Sequence, residues 1–232
     1  MAERPLFAPA PEAAGFVKVV DLSIGWHGGF AATQKQKNIV ALHEAAAAQG
    51  YVPVLEVSTK SPETLGQRLS AFNLKVEAPG LGLAPLECVF QGGKVFEMGG
   101  PYRDLYRATP WEAKRDVRLK DSGPLTAFEY DGVRFPLEPR TVFYDWLYLS
   151  ALYPHREWLK RLCAYAGFTD IEFNPQKSIN CQARSCALFV ALMQSDLLDQ
   201  AMASPDAFIA LMSSRRPPLR EVAASKALEL NF

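Results

Sequence analysis

The chain has 232 residues, of which 49% are hydrophobic and 22% are charged, so it can fold around a substantial core. Its 25 Lys and Arg residues balance 25 Asp and Glu residues, and no overall charge draws it to nucleic acid or to an anionic membrane. These values exclude a disordered chain and a general polyanion binder, and any nucleic-acid contact requires a local basic patch.

The cysteines show neither a CxxC pair nor the spacing of a Cys/His metal site, so we expect free thiols, no metal and no cofactor. No run of residues approaches the roughly 18 apolar residues of a membrane span. The first residues also lack the apolar core of a signal peptide. We therefore expect a soluble, cytoplasmic protein with no membrane partner.

The first third of the chain mixes short strands with helices. The predicted elements are a flexible arm over 1–15, a strand over 17–22, a helix over 34–49, a strand over 51–57, a helix beginning at Ser61-Pro62 and a loop over 75–85. Thr33 has the spacing of a capping box, and Gly50 is a typical helix stop. Pro53 favours an edge position for the second strand, because proline cannot donate to a neighbouring strand.

The segment 86–100, LECVFQGGKVFEMGG, carries the most informative pattern. Glu87, Gln91 and Lys94 are spaced at i, i+4 and i+7, which predicts one stripe of a helix. Most of the surrounding residues are apolar, so this helix should be buried, and buried ionisable groups are costly unless they are paired or used. The pattern indicates a functional site, although a buried Glu–Lys ion pair with a purely structural role explains it equally well.

Helices dominate the rest of the chain. The predicted elements are a helix from Thr109 to about Lys120, a hairpin at Asp131-Gly132, helices over 141–153 and 155–166, a strand over 169–173, a buried helix over 180–194, and short helices over 196–203 and 205–214. The strands are short and scattered, which predicts a mostly helical α+β fold with one β-hairpin. A single catalytic domain over 16–214 would then be followed by a peripheral tail over 215–232.

Several catalytic classes are excluded because the chain contains no G-x-S-x-G, G-x-G-x-x-G or P-loop motif. Amine and carboxylate chemistry remains. A desolvated Lys94 would have a lowered pKa and act as a nucleophile, while Glu87 would transfer protons. Glu172, at the end of the predicted strand over 169–173, offers a second carboxylate. An exposed, non-functional position for Glu172 is an equal alternative.

The order of three motifs resembles the NADAR/YbiA-like family. SAFN (70–73) is similar to its Ser-Asn-Phe element, LECVFQGGKVF (86–96) has its Glu-x3-Gln-x2-Lys spacing, and DIEF (170–173) is similar to its later Val-Glu. The wider pattern, over about 16–200, looks like the branch of NADAR antitoxins that accompany DarT-type ADP-ribosyltransferase toxins.

The resemblance implies hydrolysis of the N-glycosidic bond that joins ADP-ribose to guanine in DNA, with a cognate toxin as a possible partner. It also leaves two alternatives: an N-glycosidase of phosphorylated riboflavin-pathway intermediates, and a non-catalytic antitoxin that binds the toxin. Either Lys94 forms a Schiff base with the opened sugar while Glu87 transfers protons, or Glu87 activates water beside the Lys94 cation.

The same resemblance implies a pocket for ADP-ribose that pairs aromatic with polar groups. The residues expected to bind substrate are Trp26, Ser70, Phe72, Asn73, Gln91, Gly99, Gly100 and Tyr102. The aromatic rings would stack on a base, with ordinary core packing as the alternative. The amides of Gly99 and Gly100 would contact the pyrophosphate, and turn formation explains those glycines as well. The basic run over 114–120 is a further candidate for phosphate contacts, although a solvated helix face explains it more simply.

Overall fold

The computed structural model describes residues 1–29 and 31–215. The strands are β1 (Ala2–Pro9), β2 (Val17–Ile24), β3 (Val54–Glu56), β4 (Lys75–Ala78), β5 (Gly82–Pro85), β6 (Lys94–Phe96), β7 (Leu125–Tyr130), β8 (Val133–Phe135) and β9 (Gly167–Thr169). The α-helices are α1 (Ala32–Ala48), α2 (Thr64–Arg68), α3 (Leu86–Gly92), α4 (Pro110–Arg115), α5 (Arg118–Asp121), α6 (Val142–Leu152), α7 (Arg156–Leu159), α8 (Gln182–Gln194), α9 (Leu198–Ala201) and α10 (Pro205–Ser214). The predicted α+β class is confirmed.

The largest sheet has the strand order β2-β1-β9-β3. β1 pairs with β2 in antiparallel register from Ala2 opposite Ile24 to Pro9 opposite Val17, and β3 runs parallel to β9. β3 lies at the edge, as predicted from Pro53, which directly precedes the strand. The two faces of the sheet are covered by separate apolar clusters, one around Phe168 and one around Leu42 of α1.

The N-terminus differs from the predicted flexible arm over 1–15. Residues 2–9 form β1 at the inside of the sheet, where Leu6, Phe7 and Ala8 are buried. Leu6 packs on the side of α1, whereas Phe7 packs on the opposite side. The prediction was wrong because the Pro and Ala content of the segment concealed a short apolar run that is buried on both faces of a sheet.

Two small antiparallel sheets complete the strand structure. β7 and β8 form the hairpin predicted at Asp131-Gly132, whose φ angles of 51° and 77° suit a tight turn. β4 and β5 form a further hairpin where a loop over 75–85 was expected, so the expectation of one hairpin was too low. The alternation of buried Val76 and Ala78 with exposed neighbours is the strand pattern that the prediction overlooked.

Several boundaries also differ from the predictions. α1 begins at Ala32 behind Ala31, and no side chain caps it, so the expected capping box at Thr33 does not form. The box at Thr109 does form, with Glu112 as its second member. The helix that it begins ends at Arg115, and α5 follows separately. The helix predicted over 155–166 is α7 flanked by short 3-10 turns.

The core lies where α6 and α8 pack together beneath the sheets. Nearly every residue of both helices is buried, as the apolar run over 180–194 predicted for α8. Within residues 1–29 and 31–215, no helix combines the length and apolar character needed to span a bilayer. The tail predicted over 215–232 lies outside the described residues except for Arg215.

Candidate active site

Glu87 and Lys94 lie on different elements. Glu87 is in the first turn of α3, but α3 ends at Gly92, and Lys94 is the first residue of β6, opposite Phe128 of β7. The helical stripe through Glu87, Gln91 and Lys94 was therefore a wrong prediction for Lys94. The helix stops because two consecutive glycines disfavour its continuation by roughly 1 kcal/mol each.

The two glycines are required by close packing. A Cβ atom on Gly92 would lie 2.7 Å from the carbonyl oxygen of Tyr102, and one on Gly93 would lie 2.8 Å from the ring of Phe143. Neither glycine lines the cavity described below. The pair serves to turn the chain from α3 into β6, which brings Lys94 back beside the helix.

The side chains of Glu87 and Lys94 both face a cavity of about 690 Å³, named here the polar cavity. Its ionisable and amide side chains come from α3, β6, α4, α5, the segment after β9 and α8: Glu87, Gln91, Lys94, Lys114, Lys120, Asp170, Glu172, Asn174, Asn180 and Gln182. Its aromatic walls are Phe72, Phe90, Tyr144 and Phe173. A mainly concave site with a few convergent polar groups is typical of small-molecule binding.

Glu87 is held by two neighbours in the polar cavity. Gln91 Nε2 donates a hydrogen bond of 2.7 Å to Glu87 Oε1, and Lys114 Nζ lies 3.3 Å from Glu87 Oε2. The carboxylate is only 9% exposed. Gln91 Oε1 is buried and accepts no hydrogen bond from a described residue, which leaves an acceptor beside Glu87 for a substrate hydroxyl or amine.

Lys94 has an environment suited to a neutral amine. The residue is 3% exposed, and its Nζ lies 5.3 Å from the centre of the Phe90 ring. Burial is the main cause that lowers the pKa of Lys94 to about 8; the charge of Glu87 opposes this shift and the charge of Lys114 adds to it. About a tenth of this amine is therefore unprotonated at pH 7, and the unprotonated form is the one that nucleophilic catalysis requires.

Asp170 is a titratable group of the polar cavity that the sequence prediction missed. It follows β9 directly and is 8% exposed. Burial raises the pKa of Asp170, and the neighbouring charge of Glu56 raises it further, while a hydrogen bond from Gln182 acts in the opposite direction. The protonated acid is the form that these surroundings favour, so Asp170 can donate a proton.

Glu172 lines the polar cavity, but it lies in a turn after β9 and not on the strand predicted over 169–173. Thr59 Oγ1 donates a 3.3 Å hydrogen bond to Glu172 Oε2. The backbone N–H of Glu172 donates to Asp170 Oδ1 at 3.0 Å. Glu172 thus lines the polar cavity and is also hydrogen bonded to Asp170 through its backbone N–H.

Of the predicted binding residues, Phe72 and Gln91 line the polar cavity, whereas Ser70 contacts the cavity-lining residue Gln182. Ser70 is fully buried and donates to Gln182 Oε1 at 3.3 Å. The backbone N–H of Ala71 donates to the same oxygen at 2.7 Å. These bonds orient the Gln182 amide so that its NH₂ group faces Asp170.

Three other predicted binding residues, Trp26, Asn73 and Tyr102, lie away from the polar cavity. Asn73 donates to the carbonyl of Gln67, and Trp26 stacks against Arg4 at the sheet. Tyr102 hydrogen bonds to Ser122 beneath Arg118.

Gly99 and Gly100 also do not line the polar cavity, so the expected pyrophosphate contacts are not supported. A Cβ atom on Gly99 would lie 2.2 Å from the Tyr102 hydroxyl, and one on Gly100 would lie 2.2 Å from the carbonyl oxygen of Lys94. Gly100 also has a φ of +83°. These glycines form the tight turn after β6, which was the alternative reading of them.

The site residues that sequence reasoning missed are Asp170, Gln182 and Tyr144, whereas Lys114 belongs to the basic run over 114–120 that was a candidate for phosphate contacts. Asp170 lies two residues before the predicted Glu172, in the same DIEF motif, so that motif could have indicated it. Gln182 and Tyr144 sit in helices whose apolar patterns resemble ordinary core. Among the described residues, no three His, Cys, Asp or Glu side chains are grouped so as to hold a metal ion.

The sequence model of one protein family, described as the DarT1-associated NADAR antitoxin, matches residues 2–220. The chain shows no significant match to a curated protein. The family match spans β1 and every segment that lines the polar cavity, and it confirms the resemblance that the three motifs indicated.

Proposed function

The chain belongs to the family of DarT1-associated NADAR antitoxins, and from this premise we propose that it hydrolyses the N-glycosidic bond between ADP-ribose and a guanine base of DNA. The reaction reverses the modification made by a cognate ADP-ribosyltransferase toxin. A soluble enzyme of the cytoplasm suits this role.

The observation that carries the proposal is the convergence of Lys94 and Glu87 on the polar cavity. A buried amine with a pKa lowered to about 8 faces the same space as a carboxylate held by Gln91 and Lys114. Glu87 also lies 3.3 Å from the Nζ of the more exposed Lys114, so two lysines of the polar cavity act on one carboxylate. The cavity of about 690 Å³ also lies within the size range of small-molecule sites.

The chemistry follows from the bond that is broken. The anomeric carbon of the ribose carries both the ring oxygen and the guanine nitrogen, so the ring can open as the nitrogen lone pair forms a C=N bond. Asp170 gives its proton to the departing ring oxygen. The neutral Lys94 amine then attacks the anomeric carbon.

Proton transfer completes the exchange. Glu87 takes a proton from the Lys94 nitrogen and delivers it to the guanine nitrogen, whose bond to the anomeric carbon breaks, so that unmodified guanine remains in the DNA strand. The Schiff base on Lys94 is hydrolysed by one water molecule, which restores the amine and releases ADP-ribose. Alternatively, Glu87 removes a proton from water that attacks the anomeric carbon directly, with Lys94 as a fixed cation.

The test measures release of ADP-ribose from an oligonucleotide that carries ADP-ribosylated guanine. We expect Lys94→Met and Glu87→Gln each to reduce the rate by about 10³-fold or more. Borohydride should trap a covalent adduct on the native protein and not on Lys94→Met. Lys75→Met, which changes an exposed lysine outside the polar cavity, is the matched control.

Near-normal release by both cavity variants would refute the proposal. Two further measurements separate it from the alternatives. Turnover of a phosphorylated riboflavin precursor in preference to the oligonucleotide would identify a metabolite N-glycosidase. Protection of cells by the Glu87→Gln/Lys94→Met double variant, with co-purification of the toxin, would identify a non-catalytic antitoxin.

A further inference from the structure

α4 and α5 border the opening of the polar cavity, where Lys114, Leu119 and Lys120 form part of its lining. Trp111, Lys114 and Arg115 are spaced at i, i+3 and i+4 on α4, so their side chains share one side of the helix. This side continues outward from the cavity. A ligand larger than the cavity would therefore extend over it.

Two aromatic side chains at this border are exposed and do not pack in the hydrophobic core. Trp111 is 64% exposed and Phe72 is 54% exposed. α4 is anchored instead by Ala113, which is fully buried against Cys88 and Leu105. Large aromatic surfaces left in water without a packing role indicate a contact surface for a partner.

Each of these rings carries a cation above it. The Arg115 guanidinium carbon lies 4.2 Å from the centre of the Trp111 ring, and Lys114 Nζ lies 5.3 Å from the centre of the Phe72 ring. Rings and cations in alternation suit a chain of bases and phosphates, because bases stack on aromatic faces while phosphates pair with cations.

Two of the three acidic residues of α4, α5 and the link between them are bonded within the segment, and the third is Asp121 at the end of α5. Glu112 bonds back to Thr109 in the capping box, and Asp116 is paired with Arg118. Arg115 and Lys120 make no ion pair with any residue in 1–29 or 31–215. With Arg115 and Lys120 set against Asp121, the segment keeps a local excess of positive charge although the whole chain has no net charge.

We infer that Phe72, Trp111, Arg115 and Lys120, named here the rim, bind the unpaired DNA strand that flanks the modified guanine. This inference rests on the proposed function and adds that the preferred substrate is single-stranded. Paired bases already stack on one another and present only their edges in the grooves. The exposed faces of Trp111 and Phe72 are therefore available only to bases outside a duplex.

The first test uses an unmodified, fluorescently labelled oligonucleotide, so that binding is measured without catalysis. We expect fluorescence anisotropy to show tighter binding of the single strand than of the duplex. Trp111→Ala should weaken single-strand binding about 5- to 100-fold, the range for loss of one stacked base. Arg115→Gln should weaken binding and reduce its dependence on salt concentration.

A matched control lies elsewhere on the surface. Trp158 is also exposed and carries Arg161 at 3.9 Å above its ring, but neither residue lines the polar cavity. Trp158→Ala and Arg161→Gln should leave oligonucleotide binding within twofold of the native value. Equal losses from both Trp–Arg pairs, or no loss from Trp111→Ala, would overturn the inference.

The second test separates the rim from the chemistry. Trp111→Ala should raise KM for a modified oligonucleotide and leave hydrolysis of ADP-ribosylated guanosine, which has no flanking strand, unchanged. If native protein hydrolyses neither substrate, the proposed function fails, whereas the binding comparison still decides the role of the rim. Loss of toxin binding by Trp111→Ala, with oligonucleotide binding intact, would assign the rim to a protein partner and overturn the inference.

Discussion

The polar cavity and a second cavity have the same volume of about 690 Å³ and opposite chemical character. The second, named here the apolar cavity, lies between α2, the hairpin β4–β5 and the end of α6. Its lining is Arg68, Leu69, Asn73, Leu74, Lys75, Val76, Glu77, Leu83, Ser150, Ala151, Leu152, Pro154, His155, Trp158 and Leu159.

The two cavities differ in where their ionisable groups lie. In the apolar cavity Arg68, Lys75, Glu77 and His155 are all exposed, so water solvates their charges. In the polar cavity Glu87, Lys94 and Asp170 are buried, and the pKa values of Lys94 and Asp170 are displaced toward the neutral forms. Size alone therefore does not identify the reactive site, whereas buried and converging charges do.

The largest difference in the rate of ADP-ribose release should appear when one carboxyl group is removed from each cavity in turn. Asp170→Asn keeps the shape but removes the proton, and we expect the rate of ADP-ribose release to fall about 10²- to 10⁴-fold. Glu77→Gln, in the apolar cavity, should change it less than twofold. The variant should also lose the decline in rate on the alkaline side of the pH profile. A normal rate for Asp170→Asn would show that Asp170 is only structural.

Replacing one lysine in each cavity measures the free-energy cost of burying the amine. At neutral pH we expect Lys94→Met to raise the free energy of unfolding by about 1–3 kcal/mol, because the buried ammonium is replaced by an apolar side chain. Lys75→Met should change it by less than about 0.5 kcal/mol. Urea denaturation measures both values. A loss of stability in Lys94→Met would mean that interactions of the ammonium outweigh its desolvation.

The sign of the pH dependence follows from the same shift. The pKa of Lys94 falls from 10.5 to about 8 on folding, so the unfolded chain binds the extra proton between these values. The stability contribution of Lys94 should therefore increase from about pH 8 to 10.5 and be lowest below pH 8. Denaturation of the native protein and Lys94→Met across this range gives the difference directly. The opposite slope would contradict a lowered pKa.

The kcat/KM of the enzyme should depend on pH below the pKa of Lys94. If the neutral amine is the nucleophile, kcat/KM should rise about tenfold per pH unit up to about pH 8 and then level off or fall as Asp170 loses its proton. If Lys94 acts as a fixed cation, the rate should instead decline through about pH 8. The pH profile thus chooses between the two routes.

The smallest effect is expected from the aromatic residue of the apolar cavity. Trp158→Ala should leave ADP-ribose release within twofold and reduce the free energy of unfolding by about 1 kcal/mol, because the ring is already half exposed. A rate loss beyond tenfold in Trp158→Ala would show that the apolar cavity is coupled to the reaction, and the contrast between the two cavities would fail.

Local sequence determined those features that depend on neighbours along the chain. The capping box at Thr109, the turn at Asp131-Gly132 and the i, i+4 contact between Glu87 and Gln91 all form as predicted. The apolar run over 180–194 likewise forms a buried helix. In each case the decisive interaction spans four residues or fewer, or depends on a periodic apolar pattern.

Tertiary structure decided the rest of the site. Lys94 reaches the Glu87 side of the cavity because the chain turns at Gly92 and Gly93 and joins β7, not because a helix continues. Asp170 and Gln182 arrive from the far end of the chain, and burial beside Glu56 determines the proton affinity of Asp170. Sequence spacing cannot report these effects, since desolvation and neighbouring charge depend on which distant segments pack together.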